Sequence, residues 1–515
     1  MEKKLNMKKS IRGSFIRTAL VLSTFSMVFA SCDDLLDVES QHIVNEENKW
    51  KDINDVRASL VGVYGLLRSA LAENNAQWVY GELRSGDFVS SNRRDLQMVI
   101  DGELKASYPL VSNLSNWRKF YAVINAANLF IENSEKVLAE DPQYTELNHK
   151  IDVAQARAIK GFTYFLMARI WGEVPIWNKS YEGSFPKIAK SSEEAVLAYA
   201  ENELKSALNV LPYRYGVRTD EIYPTTLYHG FDYLKWDGVL FNRVSVNAIL
   251  AHLTAWSGKY FESSVYSEFV LNNMTKSNAN YVLTSDLTKG NGFFYTSTNS
   301  QLVAFPFKWN SLESTFQGHI EDLTLASPLV PKPIPDIYIP ADKIVQIFDE
   351  VGDARFHITT NGDVITSYFT DFGGIRPIFS KIKVIRDGTS SDGSFPLYSS
   401  AIVFTRIEDI ALLRAEALAA LGENDLARDI LSQIRKSRGL NEVSSSKDLI
   451  DEIFEERRKE LMGEGWRWFD LIRYNKIKRN NAAFNALIDN KGIYWPVASE
   501  VLSNNNVVEQ NPYWK

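Results

Sequence analysis

"RIEDIALLRAEALAALGENDLARDILSQIRKSRG", residues 406–439, decides the fold. Small residues recur at helical spacing along its first half, at Ala411, Ala415 and Ala419. Gly422 interrupts the pattern, and a second amphipathic segment runs on to Gly439. Apolar residues three and four apart mark the buried face of a helix. Side chains as small as alanine let two such helices approach closely. The stretch therefore predicts a helix, a glycine turn and a second helix packed on the first.

The same form recurs upstream. "RVSVNAILAHLTAWSGKYFESSVYSEFVLNN", residues 243–273, has Ala248 and Ala251 before a turn at Gly258. In "IDVAQARAIKGFTYFLMARIWGEVP", residues 151–175, one face carries Ile151, Ala154, Ala158, Phe162, Phe165, Leu166 and Ile170, and Gly172 and Pro175 stop the helix. Its partner runs through "SSEEAVLAYAENELKSALNVLP", residues 191–212, where Ser191 and Glu194 fit a capping box. These look like degenerate tetratricopeptide-type units. Non-helical stretches separate them, so one packed bundle with long insertions is expected rather than a free-standing solenoid. The expected fold class is mainly α. Residues 46–515 form a single domain, with helical pairs near 50–72, 116–211, 243–275 and 402–475. Loop-rich insertions fall near 73–115 and 276–400. "SPLVPKPIPDIYIP", residues 327–340, has five prolines and cannot be a regular helix. "VITSYF", residues 364–369, and "SKIKVI", residues 380–385, suggest short strands.

The N-terminus carries a different message. Residues 1–17 hold six basic side chains against one acid, and Thr18–Ala30 is uncharged and mostly apolar. That is a secretory signal over residues 1–31. Its apolar stretch of 13 residues is shorter than the roughly 20 that a spanning helix needs. The chain's one cysteine, Cys32, follows Ala30 and Ser31, which resemble a bacterial lipobox. A lone cysteine has no disulfide partner within the chain. Here it is expected to become the first mature residue and to carry acyl chains, which anchor stably when several are present. Residues 32–45 form an acidic linker, with Asp33, Asp34 and Asp37 resembling an export signal for the outer face of the outer membrane. Cleavage removes six positive charges and one negative, so the formal charge moves from −7 to −12. An acidic chain of this kind argues against nucleic acid as a partner and against electrostatic docking on an anionic membrane.

"ERRKELMGEGWRWFDLIRYNK", residues 456–476, is the most distinctive segment. It reads as a helix charged early and aromatic late, broken by Gly463 and Gly465, with Trp466, Trp468, Phe469 and Leu471 in the core. It closely resembles the C-terminal signature of the SusD/RagB family of outer-membrane nutrient-binding lipoproteins. "SCDDLLDVES" (31–40), "ARAIKGFTYFLMARIWGEVPI" (156–176), "RIEDIALLRAEALAALGE" (406–423) and "YWPVASEVLSNNNVVEQNPYW" (494–514) resemble the same family in the expected order. The resemblance implies a tetratricopeptide-like helical scaffold under a less regular region. It also implies lipid anchoring on the outside of the cell, and service as a lid on a SusC-like TonB-dependent transporter whose barrel the helical repeats face.

No catalytic arrangement emerges. The chain has no glycine-rich phosphate loop, no G-x-S-x-G elbow and no H-E-x-x-H. The six histidines are dispersed without metal-ligand spacing, and His252 reads as a packing residue. No metal and no cofactor is expected, and no enzymatic activity. The expected function is capture of an oligosaccharide, with a peptide as the alternative ligand. A glycan-degrading enzyme and a purely structural lipoprotein are the competing classes. Sugar rings pack C–H faces on exposed aromatic rings while polar groups pair with the hydroxyls. Two loops offer such groups: Trp78, Tyr80, Arg84 and Asp87 within residues 74–92, and Phe293, Phe294, Tyr295 and Trp309 within residues 290–311. For each aromatic the competing role is packing of the loop onto the scaffold, and Arg84 with Asp87 could form an internal ion pair. A third cluster spans residues 223–236, "YPTTLYHGFDYLKW".

Overall fold

The spacing of small and apolar residues is realised as paired helices. The computed structural model describes residues 50–105, 107–183, 186–307, 313–389 and 395–515. The signal, Cys32 and the acidic linker lie outside the described residues. Helix α1 (Ile53–Ala72) begins at Asp52, whose side chain accepts from the backbone N–H groups of Asn54 and Asp55, with Asp55 reciprocating. It packs on α2 (Arg118–Glu140). The next pairs are α3 (Glu146–Trp171) with α4 (Glu193–Ala207), α5 (Arg243–Trp256) with α6 (Tyr260–Asn272), and α7 (Ile407–Ala420) with α8 (Asn424–Ser437). Contacts of α2 with α3, α4 with α5 and α6 with α7 stack the pairs in chain order. Ala248, Ala251, Ala411 and Ala415 are fully buried at these faces. The cap of α4 is Ser192, which accepts from the Ala195 N–H, not Ser191. Ser191 instead bridges to Val174.

The insertions carry little regular structure. Residues 73–115 hold short helices at Ala76–Gly81, Arg94–Ile100 and Pro109–Leu114. Strand β1 (Val303–Phe305) pairs antiparallel with β8 (Ile402–Thr405), which runs straight into α7. Between them lie three hairpins: β2 (Phe356–Ile358) with β3 (Val364–Thr366), β4 (Phe369–Thr370) with β5 (Ile378–Phe379), and β6 (Ile385–Asp387) with β7 (Leu397–Tyr398). The strand expected over residues 380–385 survives only at Ile385. Lys381 explains why: its ammonium points inward to the carbonyls of Glu460 and Met462 and to the Glu464 carboxylate. That segment closes over a helix turn instead of pairing with a strand.

The turn belongs to the 456–476 segment. Helix α9 (Leu449–Glu460) and α10 (Arg467–Lys478) flank Gly463 and Gly465, whose φ values of 75° and 82° are left-handed. A Cβ on Gly81 would lie 1.8 Å from the Gly465 carbonyl oxygen, so the two backbones touch here. Trp466, Trp468 and Phe469 are buried as expected, whereas Leu471 is only half-buried and lines an open cleft. His252 is buried, stacked on Trp466 and bonded to Asp409 and Thr405.

The charges of this segment are buried with the aromatics. Glu460 meets Arg355 at 3.1 Å, Arg406 at 2.9 Å and Arg438 at 2.7 Å, with all four side chains essentially inaccessible. Glu456 also holds Arg355, and Glu464 holds Arg406 and Lys381. Arg457 pairs with Asp409 and Asp470, and Arg473 with Glu416 and Asp470. Burial alone would raise the pKa of Glu460, but Arg438, Arg406 and Arg355 hold it well below the usual carboxylate range. Removing one partner from such a cluster strands charge away from water. Glu460→Ala is therefore expected to cost about 3–5 kcal/mol by urea unfolding. A loss under about 1 kcal/mol, the size of a surface pair, would contradict the assignment.

Glu82 gives a pH signature. Burial lifts its pKa to about 7, although it accepts from the Gly463 and Arg467 N–H groups. The folded chain then keeps a proton that the unfolded chain releases above about 4.5. This group's contribution to stability falls as pH rises from about 4.5 to about 7 and is level beyond. The stability difference between the native chain and Glu82→Gln should shift across that window in that direction, by on the order of 2 kcal/mol. A pH-independent difference would contradict it.

Candidate functional site

The structure places six of the eight candidate ligand residues in the interior. Trp78, Tyr80, Phe293 and Phe294 are core side chains. The Tyr80 hydroxyl donates to the Leu114 carbonyl, and its ring packs edge-on against Trp171 and Trp495. Arg84 and Asp87 do not pair with each other. Arg84 donates to the carbonyls of Gly492 and Ile493 and stacks 4.2 Å over Trp468, and burial lowers its pKa to about 9. Burial pushes the Asp87 carboxyl up, but Arg467 and Arg458 outweigh it and hold it below the usual range. The 74–92 loop is thus pinned from beneath by α9 and α10. Tyr295 is half-buried, with the Arg386 guanidinium 4.7 Å from its ring. Trp309 lies outside the described residues; Pro306 and Glu313, on either side of it in sequence, line an open groove.

That groove, of about 400 Å3, is a concave surface bearing an exposed ring. Its floor is the outer face of α1, where Arg57, Val61, Gly65 and Arg68 recur at helical spacing. A Cβ on Gly65 would meet nothing within 4 Å, so the missing side chain leaves the floor open. One wall is Phe231, Lys235 and Trp236, and the other is Ala304–Pro306 with Glu313. Arg68 donates to the Pro306 carbonyl at 2.7 Å, pairs with Glu313 at 3.0 Å and lies 4.6 Å from the Phe307 ring. Phe231 is 41% exposed, flanked by Arg57 and Lys235 at 5.5 and 5.4 Å from its centroid.

A tight turn holds Phe231 out. Tyr228 and Phe231 exchange both backbone hydrogen bonds, and His229 and Gly230 between them take φ values of 48° and 79°. Two left-handed central residues define the hairpin turn that favours glycine second. The strained first position is secured from below. His229 Nε2 sits 3.0 and 3.1 Å from the two oxygens of Asp152 on α3, and the Tyr228 hydroxyl bonds the same carboxylate. Gln155 donates to Tyr228 and accepts from Tyr64 of α1, whose hydroxyl accepts from the Phe241 N–H. Burial raises the Tyr64 and Tyr228 pKa values, so both phenols remain neutral donors. The turn is locked to α1 and α3 before any ligand arrives.

The 223–236 cluster was visible in the sequence, but Arg57 and Arg68 were not singled out. A signal existed: Arg57, Val61, Gly65 and Arg68 trace one stripe of α1 that the buried face Val56, Leu60, Val63, Leu67 does not use. Among the described residues, no group of three or more His, Cys, Asp or Glu side chains is placed to hold a metal ion. No described helix is long and apolar enough to cross a membrane.

Comparison with known proteins places these features in a family. The model of the SusD family matches residues 382–514. A solved SusD superfamily protein from Bacteroides thetaiotaomicron is 45% identical, with a TM-score of 0.83, covering 91% of this chain and 100% of its own. A SusD-like protein of Formosa agariphila is 26% identical over 96% of this chain and 98% of its own length. A SusD-like carbohydrate binding protein from Bacteroides vulgatus shares the fold at 21% identity, with a TM-score of 0.61 and 82% and 83% of the two chains covered.

Proposed function

This chain belongs to the SusD family, and we propose that it is a cell-surface lipoprotein that captures an oligosaccharide and delivers it to a SusC-like TonB-dependent transporter. The observation that carries the capture step is the groove over α1. It combines fixed guanidinium groups, a carboxylate and an outward aromatic ring whose turn is held by Asp152, His229 and Gln155. Ligand sites of this type use a few preplaced polar groups beside apolar surface. The ring packs a sugar face, and Arg57, Arg68, Lys235 and Glu313 serve hydroxyls. The carbohydrate-binding relative supports the ligand class.

Anchoring through Cys32 follows from the leader and the lipobox-like residues before it. Delivery is supported by the helical face. Phe261 and Val265 of α6, with Leu421 and Leu426 at the α7–α8 turn, are exposed apolar side chains on packed neighbouring elements. Stacked helix pairs offer extended surfaces of this kind to partners.

Gly65→Leu separates binding from folding. A residue other than glycine stabilises a helix interior by about 0.5–1 kcal/mol, while the leucine side chain fills the groove. The melting temperature should hold or rise, and retardation by the cognate polysaccharide in affinity electrophoresis should disappear, as it should in Phe231→Ala. Undiminished retardation in both variants would overturn the groove assignment, and binding of casein-type peptides alone would overturn the ligand class. For the anchor, Cys32→Ala should move the protein from the membrane fraction to a soluble one and remove metabolic labelling by palmitate. Labelling that persists would contradict lipidation at Cys32.

A further inference from the structure

Charge is unbalanced in the groove over α1. Its described lining holds Arg57, Arg68 and Lys235 against a single acid, Glu313. Arg68 and Glu313 neutralise each other at 3.0 Å. Arg57 and Lys235 are left over. The Arg57 guanidinium is fixed by neutral acceptors, the His229 carbonyl at 3.2 Å and Asn54 Oδ1 at 3.0 Å. The Lys235 side chain is exposed, its ammonium 5.4 Å from the Phe231 centroid. Among the described residues neither cation forms a salt bridge. The acids near them in sequence are engaged elsewhere. Asp55 accepts from the Lys51 and Asp52 amides, Asp232 from the Leu234 amide, and Asp237 pairs with Arg214. Two cations without a carboxylate thus stand within 5.5 Å of the centroid of one outward ring. They do so on a chain whose formal charge after cleavage is −12.

We propose that the groove selects an acidic saccharide, whose uronate carboxylate or sulfate ester is held by Arg57 and Lys235 while the sugar face lies on Phe231. The inference rests on the reading of this groove as the capture site and adds the charge of its ligand. A ligand that covers the two cations strips water from them. A neutral glycan offers only hydroxyls in exchange, whereas an anion restores the lost interaction through charge-assisted hydrogen bonds. A cleft lined by one sign of charge also concentrates ligands of the opposite sign. Arg57 supplies a fixed, permanently charged donor, and Lys235 a mobile one that adapts to where the anion sits on the sugar.

Calorimetry of the mature chain tests this with four hexasaccharides and one peptide. Hexagalacturonate carries carboxylates alone, a κ-carrageenan hexasaccharide carries sulfate esters alone, and maltohexaose and cellohexaose are neutral. Hexaglutamate is the acidic peptide. One acidic sugar is expected to bind about tenfold more tightly than either neutral one, and its identity names the anion. Lys235→Gln should weaken it about threefold and Lys235→Glu about tenfold, with the melting temperature unchanged because the side chain is exposed. Added salt should weaken it as well. A neutral sugar bound more tightly, lost in Phe231→Ala but indifferent to Lys235→Glu, overturns the acidic ligand and leaves the groove standing. An acidic sugar that depends on Phe231 but not on Lys235 overturns the role of the cation pair. An acidic sugar indifferent to both variants overturns the groove assignment with it, as does silence of all four sugars. Hexaglutamate binding as tightly as the preferred sugar overturns the saccharide class.

Discussion

Glu460 is the point on which the fold converges. Its two oxygens bind guanidinium groups from three distant places: Arg355 before β2, Arg406 between β8 and α7, and Arg438 at the end of α8. One carboxylate thereby ties the irregular insertion to the helical pairs. Desolvating so many charges brings little net stability compared with an apolar core, but a misplaced partner leaves an uncompensated charge in low dielectric. The cluster works as a register device. It accepts one arrangement of insertion over scaffold and penalises the others, which hydrophobic contact alone would not.

The same constraint positions the loops. Glu82 caps the Gly463 and Arg467 amides, Asp87 pairs with Arg458, and Gly81 lies against Gly465. The 74–92 loop is therefore part of the frame, and its aromatics are spent on packing. The groove proposed for a ligand lies over α1, where the Tyr228–Phe231 turn and the strand pair β1–β8 meet the helix. A second polar relay, through Asp152, His229, Tyr228, Gln155 and Tyr64, fixes that turn without using the ion cluster.

The helix pairs were legible because a helix repeats its buried face every three to four residues, and alanines at 248, 251, 411 and 415 obey that period. Gly463 and Gly465 were legible as breaks for the same local reason. The burial of Glu456, Arg457, Glu460 and Arg473 was not, because their partners lie in other elements and a charged residue in a sequence reads as solvated. Nor could Lys381 be seen turning a strand-like hexapeptide inward. Aromatic loops carry one further ambiguity: Trp78 and Phe294 have the same chemistry whether they pack or stack a ligand. The groove was illegible as a unit, since α1, residues 231–239, residues 304–306 and Glu313 are joined only by folding.

Capture in the groove is read out by hydrogen exchange and mass spectrometry, with and without the polysaccharide that the protein retains. Ligand should slow exchange in residues 57–68, 231–239 and 304–306 together, over a scaffold that is already protected. Protection confined to other segments, or bound ligand with no change at these three, would contradict capture in the groove over α1.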